Sequence, residues 1–154
     1  VKLTEVSTPC IDDHQLSPSD FDNPGLLSTD CARNVLKTLY LARLGRPDLL
    51  WAVKILARSV TRWTIADDKR LHRLMCYVNS TKNMKMYGKV GDSMDNVSLA
   101  LYSDADFAGC TETMRSTSGV FLKLSGPNTH FPLSACSNKQ ICRRLSWKKI
   151  LQRL

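Results

Sequence analysis

Apolar positions recur at helical spacing in the first half of the chain and alternate with polar ones in the second. In "CARNVLKTLYLARL", Val35, Leu36, Leu39 and Leu44 fall mostly on one face of a helix. Ser28, Thr29 or Asp30 can cap its start, and Gly45 suits its end, where a residue without Cβ closes the last turn most easily. Pro47 fits the first turn of a second helix, because the N–H it lacks would have no intrahelical partner there. Leu50, Val53, Leu56, Ala57 and Val60 give that helix its 3-and-4 spacing. Thr64 is placed to cap a third helix, with Asp67 and Asp68 complementing the dipole in its first turn. Leu71, Leu74, Met75 and Val78 form its apolar stripe. The opposite face, Lys69, Arg70 and Arg73, reads as a solvated surface, with phosphate contact as the alternative.

From residue 84 the period shortens to two. "MKMYG" is a short strand candidate and "GDSMDN" a polar turn. In "VSLALYSD", Val97, Leu99 and Leu101 alternate with Ser98, Ala100 and Tyr102. "TSGVFLKLSG" is the next strand, ended by the turn signal "SGPN". "THFPLSACS" is another, and Pro132, which cannot donate to a ladder, favours an edge position for it. Sequential strands with short connections predict an antiparallel three-stranded meander preceded by helices, an α+β arrangement. The chain divides into an extended linker or arm (1–27), a helical segment (28–83), a strand-rich part (84–140) and a basic tail (141–154). The arm is rich in Pro, Ser and Asp and aperiodic.

A chain of 154 residues suffices for one domain or two small subdomains. No apolar run reaches the roughly 18 residues needed to span a bilayer. The N-terminal "VKLTEVSTPCIDDHQ" has neither the apolar core of a secretory signal nor an initiator Met. The expectation is an intracellular protein of cytoplasm or nucleus, not secreted, whose sequence starts mid-protein. Six cysteines are scattered with no C-x-x-C pair, and none has a histidine at finger-like spacing, which argues against structural zinc and for reduced thiols, several of them buried.

Charge becomes informative when divided along the chain. Residues 1–112 balance, whereas residues 113–154 hold basic residues and no acid, so the whole net charge of +8 lies there. Such a one-sided stretch fits an anionic partner such as nucleic acid, or a solvated tail with no specific partner. Arg115, Ser116, Lys139, Arg143, Arg144, Lys148 and Lys149 are the candidates for nucleic-acid contact.

The segment "LYSDADFAG" carries the candidate chemistry. Asp104 shares a strand face with Ala100 and Tyr102, and Asp106 follows on the same side if the strand continues. Carboxylates so placed suit a hard cation such as Mg²⁺, which prefers oxygen ligands. A strand ending in a polar turn would look the same.

The surroundings add to this. "YLARLGRPDLLWAV", "DKRLHRLMCYVNST", "LALYSDADFAG", "RSTSGVFLKLSG" and "SNKQ" occur in this order over roughly residues 25–140. In that order they resemble the C-terminal part of copia-type long-terminal-repeat retrotransposon Pol polyproteins. There, a helical segment containing Arg-Pro-Asp follows the reverse transcriptase and leads into a ribonuclease H domain. The resemblance implies a ribonuclease H-like fold, incomplete here, whose mixed sheet begins with three antiparallel strands. By position Asp104 matches that family's first-strand catalytic aspartate, a ligand of the Mg²⁺ or Mn²⁺ ions that drive cleavage of RNA in an RNA–DNA hybrid. Asp106 is a supporting metal ligand. Ser116, Thr117 and Ser118 either face the substrate backbone or begin the second strand. An RNA–DNA hybrid or other nucleic acid, and the reverse transcriptase portion of a parent polyprotein, are the partners implied.

The pattern breaks after "SNKQ". The family supplies a Glu from a following helix and further Asp residues later, whereas no acid follows Glu112 here. "ICRRLSWKKILQRL" sets Ile141, Leu145, Trp147, Ile150, Leu151 and Leu154 against Arg143, Arg144, Lys148, Lys149 and Arg153. As an amphipathic helix it would bind nucleic acid, an acidic membrane surface or a calmodulin-like groove, or pack on the sheet. As the product of a lost reading frame it would do none of these. The expectation is a ribonuclease H-related fragment that is catalytically incomplete, with a non-enzymatic nucleic-acid-binding remnant and a non-functional translated relic as alternatives.

Overall fold

The computed structural model describes residues 2–106 and 115–141, which form two compact units, one ending at Met86 and one beginning at Tyr87. The first is helical: α1 (Pro18–Asp22), α2 (Cys31–Leu44), α3 (Leu50–Ser59) and α4 (Ile65–Ser80). The second is a sheet of β1 (Ser98–Ala105), β2 (Thr117–Ser125) and β3 (His130–Lys139) in the order β1-β2-β3, antiparallel throughout. Helices followed by a three-stranded antiparallel meander is the α+β arrangement that the periodicities predict.

The start of α4 follows from Thr64 and Asp67. The Asp67 carboxylate accepts hydrogen bonds from the Thr64 backbone N–H at 3.1 Å and its hydroxyl at 3.0 Å, closing a capping box. Pro47 opens a 3-10 turn, Pro47–Leu49, that feeds directly into α3. Leu49, Val53, Leu56 and Leu74 are fully buried and form the centre of the helical core.

Which face of α2 turns inward differs from the sequence reading. Cys31, Val35, Thr38 and Ala42 are buried, while Leu36 and Leu44 are more than 60% exposed. The i, i+4, i+7, i+11 row of small and short side chains admits closer packing than the bulky row beside it. Hydrophobicity alone ranks the leucines first, and packing does not.

The arm is not simply extended. Ser17 and Asp20 form a capping box that sets up α1, and the Asp20 carboxylate accepts from Lys69 Nζ of α4 at 2.6 Å. Further along, Asp68 accepts from the backbone N–H of Leu26 at 2.6 Å and from Trp63 Nε1 at 2.7 Å. Arg73 donates to the Thr8 carbonyl at 3.0 Å, and Arg70 pairs with Asp67. The α4 cations that the sequence reads as a solvated or phosphate-binding face are therefore occupied by the chain itself. Short aperiodic polar segments dock this way because their order comes from partners distant in sequence.

Arg46 and Asp48 of the Arg-Pro-Asp motif hold the α2–α3 corner to the end of α4. Arg46 is buried; its Nε and Nη2 donate to the two Asp48 oxygens at 3.0 and 2.7 Å. Nη1 and Nη2 also donate to the Thr81 carbonyl and hydroxyl, and the guanidinium lies 5.6 Å from the Tyr77 ring centre.

In the sheet unit, "MKMYG" is not a strand; the pairing that follows it is the isolated bridge of Lys89 to His130. Residues around Gly88 lie against the Phe131 ring, which fixes their path without a ladder. β3 is an edge strand, with Pro132 beside a register shift at Leu122/Lys123, as the missing proline N–H requires. Alternation places Leu99 and Leu101 with Leu122, Leu124 and Phe131 on one face, and Ala100, Tyr102 and Asp104 with Phe121 and Lys123 on the other. Leu99 and Leu101 are about two-thirds exposed, at 66% and 65%.

Candidate functional site

Asp104 is the penultimate residue of β1, and its cross-strand partner is Gly119. A Cβ added to Gly119 would lie 3.9 Å from the Asp104 carbonyl oxygen and meet nothing closer, so the sheet beside Asp104 is bare of side chain. The Asp104 carboxylate is exposed and accepts the Ala105 backbone N–H at 2.8 Å. On the same face, Tyr102 and Phe121 stack with ring centres 6.4 Å apart, and Lys123 Nζ lies 5.4 Å above the Tyr102 ring. Asp104 thus terminates a polar-aromatic face.

Asp106 follows the end of the strand and plays another part. Its N–H donates to the Thr117 carbonyl at 3.1 Å, while one of its carboxylate oxygens accepts the Thr117 N–H at 2.5 Å. The side chain replaces the next rung of the ladder and closes the β1–β2 pairing, so one of its oxygens is engaged by the backbone. Thr117 begins β2, as one of the two readings of "RSTSG" expects.

The register gathers several sequence candidates at this end of the sheet. Lys139 is opposite Thr117, and the Ser116 carbonyl accepts the Gln140 N–H at 2.8 Å. Arg115 is half-buried, and its Nε has no hydrogen-bond partner among the described residues. Arg143, Arg144, Lys148 and Lys149 lie outside the described residues. Gly119 and the Asp106–Thr117 clasp are the features that sequence reasoning missed. A glycine inside a strand pattern signals close approach or open space, and that was the available clue to the first.

A pair of Mg²⁺ or Mn²⁺ ions needs several anionic ligands. Among the described residues no group of three or more His, Cys, Asp or Glu could hold a metal ion. Asp104 and a partly engaged Asp106 do not fit a two-ion centre by themselves. What they present is one open carboxylate at the end of an exposed strand. Among the described residues, no helix is long and apolar enough to cross a membrane.

No protein-family model and no solved structure matches the chain. Curated proteins do. An uncharacterized mitochondrial protein of Arabidopsis thaliana is 32% identical over 102 residues, covering 66% of this chain and 37% of that protein. Secreted RxLR effector protein 161 of Plasmopara viticola is 38% identical over 88 residues, 57% of this chain and 60% of the effector. The retrovirus-related Pol polyprotein from transposon RE2 of Arabidopsis thaliana is 33% identical over 108 residues, 70% of this chain and 7% of the polyprotein. The chain therefore spans less than two-thirds of each of these relatives. Over 70% of its length, this chain is related to a retrotransposon Pol polyprotein and corresponds to a small part of one.

Proposed function

We propose that this chain is a fragment of a copia-type Pol polyprotein, drawn from the helical segment after the reverse transcriptase and the beginning of a ribonuclease H-like domain. The observation that carries this reading is the position of Asp104, the open carboxylate at the end of the first of three antiparallel strands, in a chain related to Pol polyproteins. The order of strands and the Ser-Asp-Ala-Asp sequence support the same origin. By itself the fragment is catalytically incomplete: among the described residues no group of three or more His, Cys, Asp or Glu could hold a metal ion, so Asp104 has too few carboxylates beside it for two divalent ions. Its remaining activity is to bind nucleic acid, through Arg115, Ser116, Lys139 and the cations after Ile141.

The test is incubation of the purified chain with a labelled RNA–DNA hybrid and Mg²⁺ or Mn²⁺, beside Asp104→Asn. The expected result is salt-sensitive binding of the hybrid, since phosphate contacts release counterions, without cleavage by either protein. Cleavage by the native chain that is lost in Asp104→Asn would overturn the incompleteness. Absence of both binding and cleavage would leave the translated relic as the better account.

A further inference from the structure

The helical unit carries 13 Lys or Arg against nine Asp or Glu, and the two signs are unevenly placed. Its carboxylates gather in the N-terminal arm and at the start of α4, whereas between Cys31 and Ala66 the one acidic residue, Asp48, is held by Arg46. Cations fill the same interval: Arg33, Lys37, Arg43, Lys54, Arg58 and Arg62. The helical geometry sorts them. Burial of Cys31, Val35, Thr38 and Ala42 turns the opposite side of α2 outward, and at 100° per residue that side carries Arg33, Lys37, Tyr40 and Leu44. On α3, burial of Leu50, Val53 and Leu56 leaves Trp51, Lys54 and Arg58 on the outer side. Tyr40 is 71% exposed and Trp51 48% exposed. Each of two packed helices thus presents an aromatic ring with cations one and two turns along, and no carboxylate between them.

We propose that these two rows are a binding face for single-stranded nucleic acid, with Arg33, Lys37 and Arg58 on phosphates and Tyr40 and Trp51 as stacking platforms for bases. Exposed rings add affinity only where bases are unpaired and can stack, and cations supply the backbone attraction. A protein interface would place its aromatics in a patch depleted of charge, and these rings are flanked by cations. A membrane-surface helix needs a broad apolar face toward lipid, and on the outer side of α2 the exposed Leu36 and Leu44 are interspersed with Arg33, Lys37 and Arg43. The face is separate in sequence from Asp104, and its occupation does not depend on what that aspartate does.

The experiment measures fluorescence anisotropy of a labelled 12-nucleotide single-stranded RNA titrated with the full chain at several salt concentrations. Arg33→Gln/Lys37→Gln/Arg58→Gln is expected to weaken binding at least tenfold and to flatten its salt dependence by about 0.7 for each phosphate no longer held. Tyr40→Ala/Trp51→Ala is expected to weaken it about fivefold or more, in line with stacking on one or two bases, while keeping the salt slope. Lys82→Gln/Lys85→Gln and Asp104→Asn are expected to bind as the native chain does, which separates this face from the strand end. Native-like binding by the first two variants would overturn the proposal. So would loss of binding to phosphatidylserine vesicles in those variants with RNA binding intact. Photocrosslinking of 4-thiouridine RNA to the native chain is a second readout that needs no variant to fold. Adducts on peptides containing Tyr40 or Trp51 are expected, and adducts confined to other peptides would refute the assignment.

Discussion

Asp106 and Thr117 exchange two hydrogen bonds at the end of the sheet, one through the Asp106 backbone and one through its carboxylate. The carboxylate is a structural acceptor, whereas Asp104 two residues earlier accepts only its neighbour's N–H among the bonds observed. Asp106→Ala is expected to cost about 1 kcal/mol, typical of one hydrogen bond to a charged group near the surface. Asp104→Ala should cost less than about 0.5 kcal/mol. Urea denaturation of the two variants checks the order, and amide exchange at Thr117 should accelerate only in the first.

The Arg46–Asp48 clasp makes stability depend on acid. Burial works to raise the Asp48 carboxyl, but the bonds and charge of Arg46 outweigh it and hold that group below the ordinary 3.8. A carboxyl lowered in the folded state stabilises at pH above its unfolded value, and that contribution is lost as pH falls through about 4 toward the folded value. Asp48→Asn should flatten the loss of stability between about pH 5 and 3 while lowering stability at pH 7. A variant as acid-sensitive as the native chain would exclude Asp48 as a source.

Arg46→Met removes a buried donor and leaves its acceptors, the exposed Asp48 carboxylate and the half-buried Thr81, to be met by water. The expected loss is about 1–2 kcal/mol, the net contribution of charged hydrogen bonds whose acceptors water can reach. The tyrosine beneath should respond too. Burial first, and then the neighbouring Asp48 carboxylate, raise the Tyr77 hydroxyl above its ordinary 10.0, and a spectrophotometric titration of Arg46→Met compared with Asp48→Asn reads how much of that the clasp controls.

Gly25 sits where the arm crosses the α3–α4 turn, and a Cβ there would lie 2.5 Å from the Thr64 carbonyl oxygen and 2.6 Å from the Trp63 ring. Gly25→Ala must push backbone as well as side chain, so a loss of about 1–3 kcal/mol is expected in thermal melts. Gly119→Ala, with only a 3.9 Å neighbour, should change stability by less than about 1 kcal/mol.

Cysteine reactivity reads the two units separately. Cys31 and Cys76 are nearly inaccessible, whereas Cys136 on β3 is exposed, and all three are free thiols. Alkylation under native conditions, mapped by mass spectrometry, should label Cys136 well before Cys31 and Cys76, which should react only after denaturant is added.

The sequence by itself determined the elements whose signals are local. Thr64 and Asp67 cap α4 because the contact spans three residues, and alternation from Val97 onward predicts β1 because successive side chains leave opposite faces. The short turn after Ser125 sets β2 against β3 for the same reason. It also showed Asp104 at a strand end. Only the tertiary structure decided which side of α2 is buried, because close packing of small residues outcompeted the more hydrophobic row. It likewise decided that Lys69, Arg70 and Arg73 serve the chain's own arm and capping box, and that Asp106 closes a ladder while Asp104 stays open. Those outcomes depend on atoms brought together from distant or unpaired parts of the chain, where the nearest polar partner, and not the residue type, sets what a carboxylate or a cation does.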